Sequence, residues 1–167
     1  MAQNFVQDGV TLTAPVASGV TKIYTGTPIY MAITGGGVRP AHAYSGIDGI
    51  SMNTCSATRD DNNYVYTDCV YQTKGVFAFL VHTGQTFVLG DDVFIVGTVD
   101  NTTAAVAGEQ EGARTTVAPR AHATSGDIAI GKCVGLGSLK ALGTTVGTGY
   151  IQCAIVTKDI SNMANKS

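Results

Sequence analysis

Short runs of β-branched and aromatic residues recur along the 167-residue chain, each closed by Gly, Asn or Asp. They read KIYTG, TPIYMAITGGG, NNYVYTDCVYQ, GVFAFLVHTG, QTFVLGDD, VFIVGTVDN, IAIGKCVG and YIQCAIVTKD. Such side chains fit a pleated, half-buried surface, and the closing residues take the turn conformations between strands. Amphipathic windows of helical length with a cap are missing: GSLKALG and DISNMAN manage about two turns at most. The pattern predicts an all-β fold, a compact β-barrel or sandwich over residues 20–159. In YVYTDCVY, Val65, Thr67, Cys69 and Tyr71 alternate with Tyr64, Tyr66, Asp68 and Val70. Both sets carry bulk, which predicts a strand covered on both faces.

The flanks differ from this body. Residues 1–19 hold Gly9, Pro15 and scattered apolar side chains, among them Phe5, Val6 and Leu12, which need a place to be buried. An extended N-terminal arm docking on a neighbouring surface would provide one, since a strand-like segment can lend backbone hydrogen bonds and alternate side chains to another chain. An edge strand of the chain's own domain is the other reading. Residues 100–127 carry Glu109, Glu111 and Arg114 amid Ala, Thr and Gly and read as a long irregular excursion. Residues 160–167 read as a frayed tail.

Only 13% of residues are charged, about half the roughly 25% of an ordinary soluble domain. A surface so poor in charge suits a protein covered by other subunits. The formal net charge of -2 and the absence of clustered Lys or Arg leave no footprint for nucleic acid. MAQNFVQDGV is no secretory leader. The longest apolar run, VFAFLV, is far shorter than the ~20 residues of a membrane-spanning helix. The expectation is synthesis in the cytoplasm and no membrane partner. Cys55, Cys69, Cys133 and Cys153 lie in or beside apolar runs and read as buried small hydrophobes. With no CxxC or HxxxH spacing, neither a metal site nor a cofactor is expected.

One hexamer is written twice, in RPAHAYSG (residues 39–46) and PRAHATSG (residues 119–126). His42 with Ser45, and His122 with Ser125, invite a catalytic reading, with Asp48 or Asp127 as partners. A nucleophilic serine, however, needs a base in contact and an oxyanion site, usually assembled from distant positions. Serines three residues from the histidine in a Ser-Gly turn more naturally bond local backbone, so no catalytic residue is assigned. The chain continues alike after each hexamer: an Ile/Gly-rich strand with a Cys, a turn, and a strand with a Cys. Upstream, TPIYMAI and DDVFIVG hold comparable places. This reads as an internal duplication of one β unit, over about 20–81 and 82–159, although the identities are few and the loops differ in length. The chain could form one barrel or two related units.

Other motifs carry no chemistry. GGG at residues 35–37 opens no helix, and GLGSLK lacks the third glycine of a dinucleotide fingerprint. RDDNNY lacks the central Gly and terminal Glu of a calcium loop. His82 reads as an ordinary strand-terminal residue.

The segment NFVQDGVTLTAPVASGV, residues 4–20, resembles the opening of a family of small tailed-phage proteins, the capsid decoration or cement proteins. The shared features stand as Asn4, Phe5, Val6, Gln7, Gly9, Leu12, Thr13, Ala14, Pro15, Ser18 and Gly19. KGVFAFLV and GDDVFIV are similar to the family's central strands, and IAIGKCVGLGSLKALGTTVGTGYIQCAIV to its closing element. The first half is longer than the family pattern, and residues 100–127 look like an insertion. The resemblance implies a non-enzymatic virion protein on the outer surface of an assembled head, commonly a homotrimer, clamping neighbouring copies of the major capsid protein. It implies an arm in which Asn4, Phe5, Val6, Gln7, Leu12 and Pro15 make the contacts. A tail or baseplate subunit is an alternative. So is a surface carbohydrate-binding β module using Tyr24, Tyr30 or Tyr44.

Overall fold

The computed structural model describes residues 11–32, 36–58, 65–96, 116–119, 126–136 and 149–157. These residues form ten strands and no helix: β1 Thr11–Pro15, β2 Pro28–Ala32, β3 Gly37–Pro40, β4 Gly49–Ser51, β5 Asp68–Gln72, β6 Val76–Val81, β7 Asp92–Ile95, β8 Thr116–Ala118, β9 Gly131–Gly135 and β10 Tyr150–Ile155. The first five make a sheet in the order β1-β5-β4-β2-β3, and the last five close into a barrel, β10-β6-β8-β7-β9. The fold is all-β.

The two sheets share one plan. Number the strands of each unit one to five in chain order. In both, strand two lies between three and four, strand five between four and one, and these ladders are all antiparallel. Strand one then meets strand three in parallel, as the ladder Val81↔Val117 in the barrel and as the bridge Val16↔Val38 in the first sheet. The likeness reaches single hydrogen bonds. Ala17 N donates to Val38 O over 3.1 Å, and His82 N to Val117 O over 2.9 Å. Ser51 N bonds Thr27 O at 2.9 Å where Cys133 N bonds Asp91 O at 2.8 Å, and Asp48 N bonds Ile29 O at 2.8 Å where Ile130 N bonds Val93 O at 2.8 Å. The turn after strand one needs a residue in the left-handed region, and glycine supplies it in both units: Gly19 has φ 81° and Gly84 φ 79°.

Alternation along these strands sends every second side chain inward, and two cores result. One gathers Val16, Ile23, Ile29, Val38, Cys55 and Cys69 within the first unit. The other gathers Phe79, Val81, Phe87, Val93, Val117 and Ile151 in the barrel, joined by Ala41 and Ile47 from the β3–β4 connection of the first unit and by Ile50 of β4. Each large aliphatic side chain so buried contributes about 1.5–3 kcal/mol. The first hexamer connection therefore ties the two units together. The second hexamer lies in the corresponding β8–β9 connection, and of it only Gly126 is among the described residues.

Several expectations need correction. Residues 116–118 of the supposed irregular excursion form β8, which sits between β6 and β7. KIYTG keeps one bridge, Ile23↔Cys55, and QTFVLG keeps none among the described residues, because a strand also needs a partner at its side. The stretch around β5 is covered on one face: Val65, Cys69 and Tyr71 are buried while Tyr66 and Asp68 face solvent. One face of this sheet packs on the core of the first unit, and the tyrosine hydroxyl and the carboxylate on the other tolerate water. The sheets part between Gln72 and Val76, whereas residue 81 is the last of β6.

Candidate functional site

Asn4, Phe5, Val6 and Gln7 lie outside the described residues. Leu12 and Pro15 belong to β1, which pairs with β5 from Thr11↔Gln72 to Pro15↔Asp68 at one edge of the first sheet. Leu12 shares the face of Ala14 and Cys69, but at the open end of the sheet, and is 42% exposed where Ala14 is buried. Pro15 has no amide to donate, and the next residue takes over the pairing, with Val16 N donating to Thr67 O over 2.9 Å. The result is an edge strand whose first three residues, Thr11 to Thr13, are exposed. Edge strands present backbone donors and acceptors to incoming chains.

The first hexamer is a tight, self-satisfied turn. Ser45 N donates to His42 O at 3.1 Å, His42 N donates to Ser45 Oγ at 3.0 Å, and Ser45 Oγ itself bonds the carbonyls of His42 at 3.0 Å and Gly46 at 2.7 Å. Its hydroxyl serves the backbone, as a Ser-Gly turn leads one to expect. Gly46 comes next at φ 64°, a conformation that favours glycine. The imidazole of His42 lies edge-on to Tyr30, with ring centres 5.2 Å apart, and tilted against Tyr44 at 4.0 Å. Tyr44 is 67% exposed, an aromatic plate held outward by the histidine behind it. Tyr24, by contrast, is buried, with Lys22 Nζ 4.9 Å from its ring centre.

The carboxylates that the sequence pairs with histidine have other surroundings. Asp48 Oδ2 accepts from Met31 N and so fixes β2. Ile128 N donates to Ala43 O over 2.8 Å, which brings Asp127 beside the first hexamer. Both oxygens of Asp127 are shielded from solvent and have no hydrogen-bond partner among the described residues. His122 and Ser125 lie outside the described residues. His82 comes directly after β6, its Nδ1 3.3 Å from Thr116 Oγ1 on β8.

All four cysteines are free and buried. Cys133 and Cys153 face each other across the β9–β10 ladder. Burial first, and the neighbouring Cys133 second, push the Cys153 thiol up to about 12. Burial likewise raises Cys133. In the first unit the neighbouring Cys69 and burial push the Cys55 thiol far up, while Cys69 Sγ lies 3.4 Å from Ser51 Oγ. Thiols held protonated pack as small apolar groups. Among the described residues no group of three His, Cys, Asp or Glu is placed to hold a metal ion.

One surface is not evident from the sequence. The segment Gln85–Leu89 comes after Gly84 at one end of the barrel, where a crevice of about 410 Å³ is lined by Gly84, Gln85, Thr86, Val88, Asp91 and Pro119. Asp91 Oδ2 accepts from Val88 N at 2.9 Å. The available signal was QTFVLG itself, a strand-like run with no partner in view. Comparison of the chain with protein-family models, with curated proteins and with solved structures found no match.

Proposed function

We propose that the chain is a structural virion protein that binds the outer surface of an assembled phage head and clamps neighbouring capsomers, a decoration or cement protein. The observation that carries this reading is β1. The segment with the decoration-protein pattern runs into an edge strand that keeps Thr11–Thr13 exposed and holds Leu12 at the open end of the sheet. A strand so placed can lie against a shell while its C-terminal half stays anchored by Ala14 over Cys69. The low share of charge favours coverage by other subunits. A base and arm burying about 800 Å² per subunit would form an interface of standard size. Apolar burial would contribute ~25 cal/mol per Å² before the losses of association are subtracted. Trimerisation would multiply such contacts through effective concentration.

The test is binding of the purified protein to expanded, undecorated heads, followed by thermal release of their DNA. Deletion of residues 2–10 is the informative truncation, because a deeper one removes the anchored half of β1. The full-length protein is expected to bind saturably and raise the release temperature. The truncated form and Leu12→Asp are expected to bind at least about tenfold more weakly, the loss of one buried apolar anchor. Failure of the full-length protein to bind overturns the reading.

A carbohydrate-binding role has one specific observation in its favour: Tyr44, exposed and backed by His42, could stack on a sugar ring. Binding to host glycans that is lost in Tyr44→Ala, with no binding to heads, would move that reading to the front.

A further inference from the structure

The two units differ at the place where their frames can be matched bond for bond. In the first unit Ile23 exchanges both backbone hydrogen bonds with Cys55: Ile23 N donates to Cys55 O over 2.7 Å, and Cys55 N to Ile23 O over 2.9 Å. Ala57 N adds a bond to Val20 O at 3.2 Å. The stretch from Cys55 to Ala57 thus lies along residues 20–23, paired through one antiparallel bridge.

The second unit repeats the frame, and among the described residues nothing takes the place of Cys55–Ala57. Gln85 N bonds His82 O at 3.1 Å as Val20 N bonds Ala17 O at 3.2 Å, and Asp91 N bonds Val88 O at 3.2 Å as Thr27 N bonds Tyr24 O at 3.2 Å. These bonds set Val88 at the place of Tyr24 and Phe87 at the place of Ile23. Phe87 turns its ring into the barrel core, as Ile23 does in its own unit. Yet among the described residues neither its amide nor its carbonyl has a partner. Tyr24 is 7% exposed, whereas Val88 is 59% and Leu89 64% exposed. Among the described residues that line the crevice beside them, Asp91 is the one with a charge.

We propose that Gln85–Leu89 is an acceptor edge for a strand of a partner protein. The occupant is an extended peptide segment that exchanges backbone hydrogen bonds with Phe87, covers Val88 and Leu89 with small apolar side chains, and brings a Lys or Arg to Asp91. Its form follows from the first unit, where Cys55–Ala57 fills the equivalent edge. Its charge follows from Asp91, which stands where the first unit has the neutral Thr27. Main-chain pairing gives such an addition its affinity, and alternate side chains with the charge give it selectivity. This assignment goes beyond the head-binding reading and holds whichever assembly supplies the strand.

The test uses the full-length protein, isotope-labelled for amide NMR, and the blocked peptide SMNTSSATR. This is the sequence of residues 51–59 with its own terminal arginine, carrying Cys55→Ser against oxidation. Saturable shifts centred on Gln85–Leu89 and Asp91 are expected. Asp91→Asn, which keeps the acceptor for Val88 N, should weaken binding about threefold to tenfold. Absence of saturable binding at millimolar peptide overturns the proposal, as do shifts confined to residues 20–24 or indifference to Asp91→Asn. A protein dimer in sedimentation that Leu89→Lys dissolves would assign the edge to a second copy and also overturn it.

Discussion

Residues 20–24 and residues 85–88 hold the same place in two copies of one frame, and among the described residues the first has a neighbour paired with it and the second has none. Ile23 exchanges both its backbone bonds with Cys55 and Tyr24 is buried; the amide and carbonyl of Phe87 have no partner among the described residues and Val88 is exposed. The core-facing side chains are equally well buried in both. Burial of the side chain and pairing of its own backbone are therefore separable, since Phe87 packs in the barrel core although its amide and carbonyl have no partner among the described residues. An extended segment whose amide and carbonyl are unpaired is a place where another chain can be received.

The largest effects should fall where the copies are alike. Gly49 and Gly131 are equivalent, and a Cβ on either has no room. At Gly49 it would sit 2.6 Å from Tyr71 Cδ2 and 2.7 Å from Gln72 O; at Gly131 it would sit 2.7 Å from Cys153 Sγ and closer still to Ala154 O. Gly49→Ala and Gly131→Ala should each cost about 3–4 kcal/mol in urea unfolding. A mild effect in one alone would break the equivalence of the frames.

Next in size is the contrast at the edges themselves. Tyr24→Ala should cost about 3 kcal/mol, the loss of a buried aromatic. Val88→Ala at the equivalent position should stay within about 0.5 kcal/mol, as surface changes do. Similar losses at both would mean that Val88 is covered after all.

How far the sequence reveals this depends on the range of the interaction. The strands β2, β5, β6, β7, β9 and β10 are visible as β-branched and aromatic runs because their composition is local. β8 is three residues, TVA, in an Ala- and Thr-rich setting, and its pairing with β6 and β7 is decided by chain far away. KIYTG and QTFVLG look alike as sequence and differ only in whether a neighbour pairs with them. The doubled hexamer marks the repeat, but Ile29 answers to Val93, Val38 to Val117 and Gly49 to Gly131, with a spacing that shifts from strand to strand, so alignment by eye fails. The Ser45 turn was legible because it is closed by residues three apart. The orphaned carboxylate of Asp127 was not, since its burial depends on the approach of Ala43.

A smaller difference between the units lies in their buried titratable groups. Cys153 occupies the place that Tyr71 holds in the first unit. Its thiol, ordinarily at 9.0, is raised to about 12 by burial. Below pH 9.0 the thiol is protonated in both folded and unfolded chains and its contribution is fully present. Between 9.0 and about 12 only the unfolded chain loses the proton, so stability should fall by at most about 1.4 kcal/mol per pH unit. Cys153→Ala should flatten that slope in alkaline denaturation; an unchanged slope would remove the thiol from the account.

The smallest effect is expected beside the first hexamer. Asp127 has both oxygens shielded without a donor among the described residues, and removing a buried group that makes no hydrogen bond loses little. Asp127→Ala should change stability by less than about 0.5 kcal/mol, or raise it. A loss above about 2 kcal/mol would reveal a partner for the carboxylate.

The comparison is tested most directly by native-state amide hydrogen exchange of the free protein at two backbone positions, Ile23 and Phe87. Both side chains are buried, so burial alone would protect the two amides alike. The account predicts that the Ile23 amide, bonded to Cys55 O, exchanges about a hundredfold or more slowly than an open one, while the Phe87 amide exchanges close to the rate of an unstructured chain. Equal protection at the two positions would contradict it, because the second edge would then already be filled.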